Sequence, residues 1–150
     1  MRILVQRMGS GWVEWDGTAT DRAETGMLCL IGFHRADRRE VLEPMAGKLL
    51  HLRIFEDDHG RMNRALQDVR GRVVLVPQFT LHADCRKGRR PSFTEAMEPE
   101  QAREYFEEFL RICRETEPDL IAGEFGAHMN VHLVNDGPVT ILLDSRELIP

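Results

Sequence analysis

Hydrophobic and polar residues alternate with a period of two through the first third of the chain, which is typical of strands. Residues 2–8 and 11–15 are predicted as two strands, and Asp16-Gly17 is typical of the tight turn of a hairpin that leads into residues 18–20. Residues 26–33 form a continuous apolar run whose length suits a buried strand. The pattern therefore predicts a strand-rich amino-terminal region.

The spacing of apolar residues changes to that of a helix in two places. The first helix is predicted over residues 37–52, with Asp37 as its N-cap. Pro44 falls inside this pattern, so we expect the helix to start near it or to kink there. Its apolar face carries Val41, Leu42, Met45, Leu49 and Leu50. The second and longest helix is predicted over residues 98–116. Its buried stripe carries Ala102, Tyr105, Phe106, Phe109, Leu110 and Cys113.

Short apolar runs elsewhere predict further strands, and polar residues 56–60 predict a turn. These strands are 52–55, 72–79, 129–134 and 139–144, the last two joined by a Gly-Pro segment. The whole pattern predicts one α+β domain over residues 1–150, a strand-rich barrel or sheet with two main helices against it.

Composition is that of a soluble globular chain. The 150 residues are 42% hydrophobic and 30% charged, with a formal net charge of −5. No apolar stretch reaches the length of a membrane span, and charge begins too early for a signal peptide, so we expect a cytoplasmic protein. Three cysteines without a C-x-x-C pair argue against a disulfide framework or zinc knuckle, and Cys29 and Cys113 are expected in the core.

Two polar clusters end apolar runs and are the strongest candidates for a site. They are residues 77–81, Pro-Gln-Phe-Thr-Leu, and residues 134–140, Val-Asn-Asp-Gly-Pro-Val-Thr. Amides, hydroxyls and backbone N–H groups held at a strand end suit a binding site. The alternative is that both are ordinary turns, since Asp136-Gly137 suits a hairpin.

Other chemistry has weaker signals. His128 and His132 have a metal-like spacing, but this segment alternates like a strand, on which the two residues share a face, so we expect no metal. The glycine motifs that bind nucleotides are absent, so we expect no cofactor. Thr80 as a nucleophile would need a base, for which only His82 is close in sequence.

Residues 86–91 carry four cations in an acidic chain, which indicates either a phosphate-bearing partner or a solvated loop.

These segments together resemble the D-aminoacyl-tRNA deacylase family, which removes D-amino acids from mischarged tRNA. The resemblance is dense from Lys48 to Ser145 and looser before it, where residues 9–15 are less typical. One departure is Pro77, where the family usually has Ser; a branch of similar proteins with relaxed specificity also has Pro-Gln there. The matching segments are 52–57, 78–81, 86–94, 125–129 and 134–140.

The resemblance implies a homodimeric, metal-independent hydrolase. Gln78, Phe79 and Thr80 would be catalytic through backbone N–H donors around an oxyanion. A cis Gly137-Pro138 peptide would enter the partner protomer's pocket and exclude L-amino acids. The remaining assignments are Arg7 as support of that gate, Phe125 and Met129 against the terminal adenosine, and Arg86, Lys87, Arg89 and Arg90 against the tRNA backbone.

The substrates implied are D-aminoacyl-tRNA and glycyl-tRNA mischarged on tRNA-Ala. Two alternatives stay open at this point: a tRNA-binding module that has lost hydrolysis, with Pro77 as its mark, and a hydrolase with Thr80 as nucleophile.

Overall fold

A mixed sheet, curved into a half-barrel, organises residues 1–149, the part of the chain that the computed structural model describes. Its strands are β1 (Arg2–Trp15), β2 (Thr18–Ala19), β3 (Gly26–Gly32), β6 (Arg72–Pro77), β7 (Ile121–Ala122) and β8 (Asn130–Asp144). A separate hairpin pairs β4 (Phe55–Glu56) with β5 (Met62–Arg64). The helices are α1 (Leu42–Leu50), α2 (Pro99–Thr116) and α3 (Ser145–Leu148). This is the predicted α+β class with two main helices.

Strand β1 is the centre of the sheet. It pairs antiparallel with β2, β3 and β8, and the order continues from β3 to β6 and β7 through parallel pairs. The two parallel strands β3 and β6 are connected through α1 and the β4–β5 hairpin. Their carboxyl ends consequently meet at one edge of the sheet.

Both faces of the central strands are buried, which explains their continuous apolar sequences. One face packs against α1 and α2, and the other forms a smaller core closed by the curvature of the sheet. In β3, for example, Cys29 belongs to the first core and Leu28 to the second. The predicted buried stripe of α2 is confirmed in full, and the pKa of the Cys113 thiol is raised to about 12 by burial.

The amino-terminal prediction of two strands is wrong, because residues 2–15 form one continuous strand. Gly9 and Gly11 break the alternation without breaking the strand. Gly11 exchanges two backbone hydrogen bonds with Ala23, and a Cβ at Gly11 would lie 2.9 Å from the Met8 sulfur. Close packing rather than a turn requires this glycine. The predicted Asp16-Gly17 turn is confirmed, with positive φ at both residues.

The carboxy-terminal prediction of two strands is also corrected, because both segments belong to β8. Gln6 lies opposite Thr140, and Met8 lies opposite Asn135. Residues 136–139 therefore bulge out of β8 opposite Arg7 alone, and we call them the Gly-Pro bulge. Since both flanks of the bulge pair with β1 in the same direction, the hairpin interpretation of Asp136-Gly137 is wrong.

Other element boundaries also differ from the predictions. A 3₁₀ turn, Arg39–Val41, precedes α1, and Asp37 is not its N-cap: its carboxylate accepts from the His34 N–H and the Met1 ammonium. Pro44 lies within the first turn of α1, where proline is tolerated. The strand predicted at 52–55 pairs only from Phe55, because the chain leaving α1 first makes a helical turn at Leu52. No helix in the described part of the chain is long and apolar enough to cross a membrane.

Candidate functional site

A cavity of about 580 Å³ opens at the carboxyl ends of β3 and β6. Such an edge is a common ligand site because loops diverge there while the strands stay rigid. The cavity is also bounded by the beginning of α2 and by the loop that leads into β8. Four of the predicted site residues line it together: Gln78, Phe79, Phe125 and Met129.

The end of β6 turns sharply at the cavity. The Gln78 N–H donates to the Ile31 carbonyl at 2.6 Å, and residues Phe79–His82 then form a 3₁₀ turn. The first N–H groups of such a turn have no partner within it. Among the described residues, the N–H groups of Phe79 and Thr80 have no partner outside the turn either. Both are free main-chain donors beside this cavity.

Side chains at the turn provide orientation rather than a nucleophile–base pair. The Gln78 amide donates to the Thr80 hydroxyl at 2.5 Å. Phe79 is 55% exposed and makes an edge-to-face contact with Phe93, with ring centroids 5.1 Å apart. The His82 ring instead donates to the Gly32 carbonyl at 3.1 Å, and burial lowers its pKa. The His82 ring therefore makes no hydrogen bond to the Thr80 hydroxyl.

Gly32 fixes the distance between β3 and this turn, a role that the sequence analysis missed. A Cβ at Gly32 would lie 2.6 Å from the Gln78 carbonyl oxygen and 3.2 Å from Leu81 Cβ. Real Cβ atoms do not approach backbone that closely, so only glycine allows β3 to pass the turn. The signal available in the sequence was a glycine at the end of an apolar strand. The residue that it contacts, Gln78, lies 46 positions later, so no local pattern connects the two.

The apolar wall of the cavity is formed by Phe125 and Met129. Phe125 packs against the Arg103 guanidinium, 4.9 Å from its ring centroid, and against the ring of Phe106. Met129 packs against Gly123, whose N–H donates to the Leu75 carbonyl at 2.8 Å. A rigid aromatic face next to a thioether is suited to an unstacked base.

The Gly-Pro bulge does not line this cavity within the chain. Its Gly137–Pro138 peptide is cis, as the resemblance implies. Arg7 is 6% exposed and donates to the carbonyls of Asp136 at 3.1 Å and Ile54 at 2.9 Å. Its guanidinium also lies 3.3 Å from the Asp136 carboxylate. The predicted contact between Arg7 and the Gly-Pro segment is therefore present.

The two ends of the bulge are tied together by side chains. The Asn135 amide oxygen accepts from the Val139 N–H at 3.2 Å. The Gln6 amide oxygen accepts from both the Asn135 amide and the Thr140 hydroxyl. Gln6 therefore anchors both ends of the bulge, although nothing in its local sequence singles it out.

The basic loop, residues 86–90, is closed by paired backbone hydrogen bonds between Asp84 and Ser92. Arg86 forms a bidentate ion pair with Asp84, which lowers the pKa of that carboxyl to about 2. Within the described chain, Lys87, Arg89 and Arg90 form no ion pair. Three of the four predicted cations are thus free toward solvent, and Arg86 is engaged in shaping the loop.

The two histidines with metal-like spacing occupy different environments. His128 lines the cavity in the loop before β8. His132, within β8, stacks on Trp12 with centroids 4.3 Å apart and lies 3.3 Å from the Glu14 carboxylate. No cluster of three or more possible metal ligands occurs in residues 1–149.

Comparison with known proteins identifies the class of hydrolase. Residues 4–144 match the family model described as D-Tyr-tRNA(Tyr) deacylase. The chain is 51% identical over 148 residues to the D-aminoacyl-tRNA deacylase of Thermomicrobium roseum, covering 99% of this chain and 96% of that one. It is 46% identical to the enzyme of the same name from Thermosipho africanus, covering 99% of both.

Two solved structures share the fold. One, described as the c-Myc DNA unwinding element binding protein, is 38% identical with a TM-score of 0.90 and covers 97% of this chain and 99% of its own. The other, a probable eukaryotic D-amino acid tRNA deacylase, has a TM-score of 0.79 at 22% identity and covers 95% of this chain and 97% of its own. This chain belongs to the D-aminoacyl-tRNA deacylase family. It is a hydrolase that acts on the ester bond of aminoacyl-tRNA.

Replacing Gly32 with alanine should displace the turn at Gln78 and Phe79, because the new Cβ would overlap the Gln78 carbonyl. Since a misplacement near 1 Å lowers rates by roughly 10²-fold, we expect single-turnover hydrolysis of D-Tyr-tRNA to fall about 10- to 100-fold. Binding of tRNA should change little. Gly47→Ala is the matched control, because a Cβ added at Gly47 in α1 would meet open space. Alanine in place of glycine stabilises a helix by about 0.5–1 kcal/mol. Wild-type rates in Gly32→Ala would show that the turn tolerates the shift.

Proposed function

We propose that this chain hydrolyses D-aminoacyl-tRNA, and glycyl-tRNA mischarged on tRNA-Ala, with main-chain donors rather than a side-chain nucleophile. The observation that carries the proposal is the pair of unpartnered N–H groups, of Phe79 and Thr80, beside an apolar cavity. Donors fixed at the position where negative charge develops lower the barrier of acyl transfer. The products are free amino acid and tRNA, formed in the cytoplasm.

The ester needs little further activation. The α-ammonium of the amino acid and the free hydroxyl of the terminal ribose both favour attack by water. Positioning the ester and holding the tetrahedral oxyanion are then the main tasks of the protein. Gln78 supports the second task, because its amide is hydrogen-bonded to Thr80 and keeps the turn in one conformation.

The terminal adenosine is placed by the opposite wall of the cavity. Phe125 offers a ring face fixed by Arg103 and Phe106, and Met129 offers a polarisable edge. A base stacked there leaves the aminoacyl group directed toward the turn at Phe79. Lys87, Arg89 and Arg90 then meet the phosphates of the tRNA backbone.

Exclusion of L substrates requires a second copy of the chain. Gly137 and Pro138 are exposed and lie outside the cavity of their own protomer. Strand β8, which carries them, is a sheet edge, and it exposes Val134 at 59% and Leu142 at 55%. A long edge with exposed apolar residues favours pairing with another chain. In the homodimer, the bulge of one protomer enters the other protomer's cavity and its carbonyls occupy the space of an L side chain.

The decisive experiment measures hydrolysis of matched D-Tyr-, L-Tyr- and glycyl-tRNA in the presence of a chelator, together with the mass of the protein in solution. We expect turnover of the D and glycyl esters, rejection of the L ester, and a dimer. Binding of tRNA without release of amino acid would favour the alternative of a module that has lost hydrolysis. Equal turnover of D and L esters would contradict the gate.

Thr80→Ala should retain activity within about tenfold of wild type, because the hydroxyl orients Gln78 and has no base beside it. Removing a true nucleophile costs on the order of 10⁶-fold in kcat. Single-turnover assays with Thr80→Ala and the conservative Thr80→Ser measure the difference. A loss of several orders of magnitude, with an acyl group trapped on Thr80 in the wild type, would establish the threonine mechanism instead.

Asn135→Ala should lower the ratio of D to L turnover by about three- to tenfold, because it removes the tie across the bulge. This range corresponds to hydrogen bonds worth roughly 0.5–1.5 kcal/mol. Asn130→Ala, at the exposed start of the same strand, is the matched control and should keep the wild-type ratio. An unchanged ratio in a dimeric Asn135→Ala protein would place the determinant of chirality elsewhere.

Neutralising Arg89 and Arg90 together should weaken binding of all tRNAs alike. The slope of log affinity against log salt should flatten by about 1.4 if both meet single-stranded phosphates, at ~0.7 per contact. A double substitution of Arg111 and Arg114, exposed on α2, gives the same change of charge and serves as control. An unaltered slope in the loop variant would show that the basic loop is structural.

A further inference from the structure

A second cavity of about 580 Å³ lies on the other side of the 3₁₀ turn Phe79–His82. The turn separates the two cavities: Phe79 lines the first and His82 lines the second. The lining of the second cavity is strongly polar. It includes Arg2, His34, His82, Arg86, Glu95 and Arg146.

The imidazole of His82 presents an unused nitrogen there. The residue is 4% exposed, and its Nε2 donates to the Gly32 carbonyl. Its Nδ1 has no hydrogen-bond partner within residues 1–149. The neighbouring His34 is different, because its Nε2 contacts Glu95 and its Nδ1 accepts from the Ala36 N–H. Because Nε2 carries the proton, Nδ1 of the neutral ring is a hydrogen-bond acceptor, and the imidazole is a neutral group at the wall of this cavity.

Two arginines present further free donors to the same cavity. Arg2 uses Nε on Asp144 and Nη1 on the Leu81 carbonyl, which leaves Nη2. Arg146 uses Nε and Nη2 on Asp144, which leaves Nη1. Within the described chain neither remaining nitrogen has a partner. Because Asp144 holds both guanidinium groups in place, the donors are fixed before any ligand arrives.

The balance of charge around the cavity is positive. Four guanidinium groups, of Arg2, Arg35, Arg86 and Arg146, meet three carboxylates. Each carboxylate is already engaged: Asp84 with Arg86, Glu95 with Arg35, and Asp144 with the other two. The unused hydrogen-bonding capacity of the guanidinium groups consists of donors, which suits an oxyanion.

We propose that this cavity binds a phosphate group through the free guanidinium nitrogens of Arg2 and Arg146, next to the imidazole of His82. Its volume admits a phosphate ester with part of a sugar, and Arg86 connects its rim to the basic loop. The phosphate is either part of the tRNA strand, next to the terminal adenosine held in the first cavity, or a free phosphate. The assignment of this phosphate to tRNA rests on the function proposed above, whereas the proposal of a phosphate site does not.

The test follows the His82 ring by NMR while inorganic phosphate is added at constant ionic strength. We expect a saturable shift in the wild type, and affinity about tenfold weaker in Arg146→Gln, which loses a charged hydrogen bond. Arg111→Gln on α2 is the control and should bind as wild type. Arg146→Lys, which keeps the charge but not the planar fork, should bind with intermediate affinity. A shift that does not saturate, or that is the same in Arg146→Gln and wild type, would overturn the proposal.

Deacylated tRNA then distinguishes the two sources. Displacement of phosphate by tRNA assigns the site to the tRNA strand, and simultaneous binding assigns it to a free phosphate. Neither arm depends on ester hydrolysis, so an inactive but folded protein would still report on the site.

Discussion

Parallel pairing between β3 and β6 is the constraint on which the site depends. It brings two chain turns to the same sheet edge, where Gly32 passes the Gln78 carbonyl without room for a Cβ. That contact sets the position of the turn Phe79–His82 and therefore the direction of its free N–H groups. The cavity, the donors and the second polar cavity all lie around this one close approach.

A site built from main chain has consequences for how selectivity is achieved. Backbone N–H groups are kept by every substitution except proline at the residue that carries them, and they recognise an ester irrespective of its side chain. Discrimination must then come from shape rather than from added contacts. In the function proposed above, that shape is the Gly-Pro bulge, which is held in one conformation by hydrogen bonds to Arg7, Gln6 and Asn135.

Much of the fold was readable from the sequence, because helix α2 and the buried strands carry strong periodic patterns. The errors occurred where tertiary packing overrode local signals. Gly11 resembles a strand break but packs against Met8, and Asp136-Gly137 resembles a hairpin but lies in a bulge between paired flanks. Gln6 and Gly32 act through partners more than 40 positions away, which no local pattern reveals. Gln78, Phe79 and the Gly-Pro segment were predicted from the resemblance to family motifs. Hydrophobic periodicity indicates only which residues are buried and does not identify residues of a site.

In the function proposed above, the Gly-Pro bulge determines specificity, whereas its two flanks determine the pairing of the strand. Residues on both sides of it pair with β1, and the register of β8 is set by those flanks. The four residues of the bulge lie opposite a single residue, Arg7, and bury little of the core. Under the proposed function, side chains within the bulge can therefore change the stereochemical preference while the paired flanks keep the register of the sheet.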